Sequence, residues 1–157
     1  MFVAAETQDG SILVKQFKEL GLNTKLFGVG SWTTPEFIKA AGAASEGIYA
    51  AVPYASSIPT DLNKDFVAKY AAAYKTKPGK YGAAGFNALN IVMQGIKRAG
   101  KAEPEAIRDA LYKTDYIAPN GHYRFTDKGE GYGYAAVLVQ LKGGEPVVVT
   151  MSEAGKP

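Results

Sequence analysis

The first 52 residues alternate between short apolar runs and amphipathic stretches, and this alternation narrows the possible folds more than any other feature of the chain. Phe2-Val3-Ala4-Ala5 gives way to Glu6-Thr7-Gln8-Asp9-Gly10, the pattern of a buried strand running into a loop. Ser11 then stands as an N-cap, with Leu13, Phe17 and Leu20 on one helical face, Lys15, Lys18 and Glu19 on the other, and Gly21 as terminator. Residues 25–30 read as a second strand, Thr34-Pro35-Glu36 opens a short helix that Gly42 ends, and residues 47–52 supply a third strand limited by Pro53. Neighbouring parallel strands need a crossover that returns the chain to the same end. The alternation therefore predicts βαβαβ with parallel strands.

The middle of the chain is read as helical. Thr60 caps a helix in which Leu62, Phe66, Tyr70 and Tyr74 fall four apart, a spacing that makes one face and reads as a packing stripe. From about residue 81 to residue 99, Phe86, Leu89, Val92, Met93 and Ile96 recur at spacings of three and four, Lys97 and Arg98 sit in the final turn, and Gly100 follows. This predicts a largely buried amphipathic helix. Gly79, Gly82 and Gly85 surround Tyr81 at its entrance, where a flat side chain with a polar tip either lines a ligand cleft or packs on the core. Pro104 opens a third helix. Beyond Asn120-Gly121 the period changes to two: Tyr123-Arg124-Phe125 is a brief strand, and residues 135–141 and 146–150 form a hairpin about Gly143-Gly144. Residues 153–157 read as a frayed end. The organisation is thus 1–55 (βαβαβ), 56–120 (helical) and 121–157 (returning strands and hairpin).

Composition removes several function classes. The 18 basic and 15 acidic residues leave a net charge of +3 spread along the chain, with no basic footprint for nucleic acid. The absence of cysteine excludes disulfides, thiolate metal sites and cysteine nucleophiles. No apolar run is long enough to span a bilayer, and the first residues lack the basic start and length of a signal peptide. His122 is the only histidine, so no histidine pair holds a metal, and its place beside Gly121 reads as a surface loop. Gly28-Val29-Gly30-Ser31-Trp32 sits between a strand and a helix, but it lacks the third glycine of a dinucleotide fingerprint and Trp32 would crowd a pyrophosphate. Open α/β sheets bind ligands at the carboxyl ends of their strands. Two adjacent strand ends would bring Glu6, Thr7, Ser31 and Trp32 to one edge, either as half of a small-molecule cleft or as polar residues that merely cap loops.

The order of elements resembles a known family. Residues 16–22, 26–30, Ala44-Ser45-Glu46-Gly47-Ile48-Tyr49, Pro53-Tyr54, residues 66–74, 81–88, Ala99-Gly100, 106–111 and Gly121-His122-Tyr123-Arg124-Phe125-Thr126-Asp127-Lys128-Gly129 together look like the C-terminal half of a branched-chain amino acid type ABC-transporter solute-binding protein. The resemblance implies a flavodoxin-like, three-layer α/β lobe with a mostly parallel sheet and a C-terminal antiparallel hairpin, partial relative to a two-lobed fold. It implies a periplasmic location, a small-molecule solute and a membrane permease as partners, and binding without chemistry, metal or cofactor. It places residues 1–52 in the C-terminal lobe, the helices of residues 60–111 at the end of the N-terminal lobe, and residues from 123 on in a return through the hinge. Glu6 then falls at a cleft-lining position and Tyr81 where an aromatic meets the ligand side chain. Gly30 falls where amino-acid binders carry an acid for the ligand's ammonium, and without that charge-assisted bond a zwitterion loses an anchor. Trp32 nearby would favour a flat, aromatic solute.

Three functional classes follow from these readings. The first is the binding module of an uptake system for amino acids or related small carboxylates. A ligand-sensing domain of the same fold in a receptor or regulator is the alternative, and an α/β enzyme is the third, for which the residues supply no activated nucleophile or metal set. If the helices of residues 60–111 and the run Phe2 to Ala5 have lost their usual partners, apolar surface is left over, and the chain is expected to form a homodimer.

Overall fold

The computed structural model describes residues 1–152, so the end expected at 153–157 lies outside the described residues. In chain order the elements are α1 (Thr7–Glu19), β1 (Phe27–Gly28), α2 (Pro35–Ala41), β2 (Tyr49–Val52), α3 (Asp61–Tyr74), α4 (Lys80–Ala99), α5 (Pro104–Leu111), β3 (Tyr116–Ala118), β4 (Gly121–Phe125), β5 (Gly131–Tyr134), β6 (Val137–Lys142) and β7 (Glu145–Met151). They fall into two compact units, Met1–Ser57 with Val137–Met151, and Ile58–Ala136 with Ser152. The terminal hairpin thus belongs with the opening βαβ segment, and β3 to β5 stay with the helices.

The first unit holds a four-stranded sheet in the order β1-β2-β6-β7. β1 pairs with β2 in parallel, as the alternation requires, but β1 is shorter than the strand expected at 25–30, and the buried strand expected at Phe2 to Ala5 is only a single parallel bridge from an exposed Phe2 to Phe27. The hairpin then adds two antiparallel strands, with Val52 opposite Val137 and Tyr49 opposite Gln140. Gly143 and Gly144, with φ of +58° and +79°, make the two-residue turn whose left-handed backbone matches strand twist. The core gathers Val14 and Phe17 from α1, Leu26, Trp32, Phe37 and Ala41, Ile48, and Leu141 from β6. On the outer side of β7, Ser57 Oγ donates to the Pro146 carbonyl at 2.9 Å and accepts from Val148 N at 3.1 Å. Together with Pro146 itself, this blunts an edge that would otherwise template pairing.

α1 begins at Thr7, earlier than the N-cap expected at Ser11. Glu6 is the last extended residue, and Ser11 is buried inside the helix with its hydroxyl donating to the Gln8 carbonyl. Asp9 and Gly10, read in the sequence as loop, complete the first turn, and Gly10 lies there directly against the indole of Trp32. A Cβ on Gly10 would stand 2.4 Å from Nε1 of Trp32. The shorter α2 agrees with its signals, capped by the Thr34 side chain and ended at Gly42.

In the second unit, Thr60 caps α3 as its sequence suggests, its hydroxyl accepting from the Asn63 amide. α4 departs from expectation. Its buried residues are Ala83, Asn87, Ile91 and Gly95, while Leu89 and Met93 of the predicted buried stripe are 61% and 57% exposed, and Phe86, Val92 and Ile96 are also exposed. The small residues win the interior because they let other elements approach closely, as at Gly95, where the Leu111 side chain of α5 fills the place of a side chain. β3 and β5, absent from the sequence reading, flank β4 in an antiparallel sheet ordered β3-β4-β5. His122 lies on β4 opposite Ile117, not in a loop, with Nε2 against Oδ1 of Asp115.

Candidate functional site

Two chain segments leave the sheet of the first unit at the same edge. Val3 N donates to the Phe27 carbonyl at 2.8 Å and Phe27 N to the Met1 carbonyl at 2.9 Å, so the segments run in the same direction. The first continues through Ala5 into Glu6 and Thr7 at the start of α1. The second passes from β1 into a tight 3-10 turn, Gly30–Thr33, before α2. Glu6 is exposed, Thr7 and Ser31 are half-buried, and the helix-terminal position of Glu6 and Thr7 leaves the first amides of α1 without helical partners. Three of the residues read from the sequence, Glu6, Thr7 and Ser31, therefore stand at the carboxyl ends of neighbouring parallel segments.

Ser31 has an unusual environment. Its Oγ is screened from solvent and has no hydrogen-bond partner, whereas the neighbouring Thr33 and Thr34 hydroxyls donate to Gly30 and Ser31 carbonyls at 2.9 and 3.0 Å. An unpaired hydroxyl of this kind costs on the order of 1–3 kcal/mol. A site group is one reason to retain it.

Trp32 reaches the same edge but turns inward. The ring has no exposed surface, stacks on Phe37 at a centroid distance of 5.0 Å, and sends Nε1–H to the Ala5 carbonyl at 2.7 Å. The sequence reading of Trp32 as a flat surface for an aromatic solute is corrected: apolar burial and the one available acceptor both draw the indole into the core. Tyr81 is resolved in the opposite sense. In the second unit, one residue into α4, it is 74% exposed, and its recorded ring contact is Lys80 Nζ at 4.9 Å from the centroid. It is not a core residue.

The second unit also contains an apolar groove of about 410 Å³ lined by Leu62, Phe66, Tyr70 and Tyr74 of α3, Phe86 of α4 and Ile117 of β3 among others. Its rings meet at tilted angles, Phe66 against Phe86 at 4.7 Å and Tyr70 against Tyr74 at 4.6 Å. The signal was the four-residue spacing on α3. That spacing predicted the shared face but not that a groove would remain open beside it.

Among the described residues no group of three acidic, histidine or cysteine side chains is placed to hold a metal. Asp115 is held below the ordinary carboxylate range, first by its hydrogen bond from Arg124 Nε at 2.9 Å, but it is an exposed ion-pair partner and not a base facing a cavity. The phenol of Tyr54 is pushed up by burial. That shift keeps it neutral and structural.

Comparison with known proteins places this arrangement. Over 119 residues, the chain is 29% identical to the leucine-, isoleucine-, valine-, threonine- and alanine-binding protein of Pseudomonas aeruginosa, a match covering 76% of this chain and 32% of that protein. A leucine-binding protein from Thermotoga maritima superposes with a TM-score of 0.87 at 21% identity, covering 97% of this chain and 44% of its own. A solute-binding protein from R. palustris in complex with benzoate gives 0.82 at 24% identity over 99% of this chain and 44% of that one. A branched-chain amino acid transporter substrate-binding protein from Streptococcus pneumoniae in complex with isoleucine gives 0.83 at 22%, with 99% and 44% covered. The chain thus spans about a third of the Pseudomonas relative and under half of each of these structures. With the periplasmic binding protein family model matching residues 1–145 and the parallel carboxyl edge described above, this chain belongs to the periplasmic binding protein family.

Proposed function

We propose that the chain is a solute-binding component of an ABC uptake system, or part of one, taking up amino acids or related small carboxylates, flat aromatic ones included, in the periplasm and passing them to a membrane permease. The observation that carries this reading is the convergence of Glu6, Thr7 and the unpaired Ser31 hydroxyl at one carboxyl edge in a chain of this family. The relatives named above, bound to isoleucine and benzoate, support the solute class. Gly30 supports the aromatic end of it, since the chain offers no carboxylate there for a ligand's ammonium. The site holds its solute and does nothing to it.

The carriers of binding are Glu6, Thr7 and Ser31, with Trp32 acting from within the core, and Tyr81 of the second unit is a separate candidate for an aromatic contact. Because the match covers less than half of the longer proteins, a solute here is only partly enclosed, and affinity is expected to fall well below that of a complete site. A thermal-shift series with leucine, isoleucine, benzoate and 3,4-dihydroxybenzoate tests the reading, since a ligand selective for the native state raises the melting temperature by mass action. A rise that Glu6→Ala and Tyr81→Ala diminish supports it. No rise with any of the four at millimolar concentration overturns it. The exposed apolar face of α4 further leads us to propose that the chain self-associates as a homodimer.

A further inference from the structure

The parallel ladder between the first two segments ends early. Its last rung is Val3 N to the Phe27 carbonyl, and beyond it the chains diverge into the two loops that carry Glu6, Thr7 and Ser31. Among the described residues one hydrogen bond joins residues 4–7 to residues 28–33, the bond from Trp32 Nε1 to the Ala5 carbonyl at 2.7 Å. That carbonyl is available because α1 does not use it: the first helical bond runs from Gly10 N to the Glu6 carbonyl at 2.8 Å. The indole for its part is a donor only, and fully buried it needs an acceptor.

The ring that carries the donor is fixed on several sides. A Cβ on Gly10 would fall 2.4 Å from Nε1, and one on Gly28 would fall 2.1 Å from Cε3, so both backbones touch the indole directly. Phe37 stacks on it with an interplanar angle of 11°. Gly10 sits inside a helix, where glycine is disfavoured, and the indole is the packing reason for it. Lateral movement of the ring is blocked. One side chain is thus packed between the two loops and bonded across them.

We infer that Trp32 is a positioning residue, which, by holding the Ala5 carbonyl, fixes Glu6 and the first turn of α1 against the Gly30–Thr33 turn and so sets the spacing between Glu6 and the Ser31 hydroxyl. Its consequence for binding rests on the proposed solute site; its consequence for the loops does not. Trp32→Phe keeps a ring in the slot and removes the donor. In that variant the Gly10 and Ser11 amides, which report the fixing of Glu6, exchange with solvent roughly tenfold faster, the effect of one buried hydrogen bond, while the Val14 and Val139 amides are unchanged. Benzoate, as the probe, binds the variant correspondingly more weakly.

Unaltered exchange at Gly10 and Ser11 in a folded Trp32→Phe protein overturns the inference. If the variant does not fold, the indole N–H of the unsubstituted protein decides: slow exchange in its nitrogen-15 spectrum supports the bond, and exchange at the rate of a free indole overturns it. A wild-type protein that binds no benzoate counts against the solute reading alone, because the exchange measurement still judges the positioning role.

Discussion

Cδ2 of Leu111 lies 2.7 Å from the point where a side chain on Gly95 would begin, so α5 rests on the bare backbone of α4. Arg98 reinforces the contact from the same helix, its Nε and Nη2 donating to the Ala110 carbonyl at 3.3 and 3.2 Å and Nη2 also to Thr114 Oγ1. The guanidinium thereby adds to a carbonyl at the end of α5 that also accepts from Lys113 N at 3.2 Å. Close approach, and not the apolar stripe, decides which face of α4 is interior.

Gly95→Ala and Gly85→Ala should consequently have opposite signs. At Gly95 a methyl group meets Leu111 Cδ2 and Cγ, at 2.7 and 3.2 Å, and overpacking of this kind costs about 1–3 kcal/mol. At Gly85, in the same helix, nothing stands within 4 Å, and alanine should stabilise by about 0.5–1 kcal/mol through helix propensity and a less flexible unfolded chain. Urea unfolding of the two variants measures the difference. Equal effects at the two glycines would show that α5 does not depend on the gap.

The same contrast explains what could be read from the sequence. The alternation in residues 1–52, the caps at Thr34 and Thr60, the Pro104 start and the Gly143-Gly144 hairpin were legible because each is a local signal with a local cause. The fate of the α4 stripe was not, since periodicity names an apolar face without saying what covers it. β3 and β5 escaped notice for a related reason. Tyr116–Ala118 and Gly131–Tyr134 are short and glycine-containing or irregular in pattern, and only their pairing with β4 makes them strands. At the site, the meeting of Glu6, Thr7 and Ser31 followed from strand order. The burial of Trp32 depended on two glycines far apart in sequence, which no spacing could connect.

The acidic group of the second unit gives a pH prediction. Asp115 is held below the ordinary carboxylate range chiefly by the hydrogen bond from Arg124, with the charges of His122 and Arg124 adding to it. A carboxyl whose folded pKa is depressed contributes stability above its unfolded value, near 4, and loses that contribution as pH falls through the folded value. Carbon-13 titration should therefore place the Asp115 midpoint below those of unpaired carboxyls, and Arg124→Gln should move it upward. Because Asp115 is exposed, the effect on global stability is small. A midpoint unmoved by Arg124→Gln would remove the ion pair as the cause.

The last prediction concerns the face that α4 leaves uncovered. Phe86, Leu89, Met93 and Ile96 stand at intervals of three and four along one side of the helix, and the groove lined by Phe66, Tyr70, Tyr74 and Phe86 lies beside the Phe86 end of this row. A continuous apolar surface of this kind rarely remains in water. Covering a few hundred Å² of it on each of two copies returns on the order of 10 kcal/mol at about 25 cal/mol per Å², which is comparable with the roughly 4–15 kcal/mol that association costs. A symmetric contact of α4 with α4 meets that requirement with one patch, because the same residues serve both copies. The 16.7 kDa chain should then elute with the light-scattering mass of a dimer, and the double substitution Leu89→Glu with Met93→Glu should return it to the monomer mass without lowering the melting temperature of the separated chain. Charge at both positions places like charges across the contact and leaves them desolvated if the interface forms. A wild-type chain that stays monomeric at high micromolar concentration and binds no exposed-surface dye would show that the stripe is tolerated in water, and the homodimer would be withdrawn.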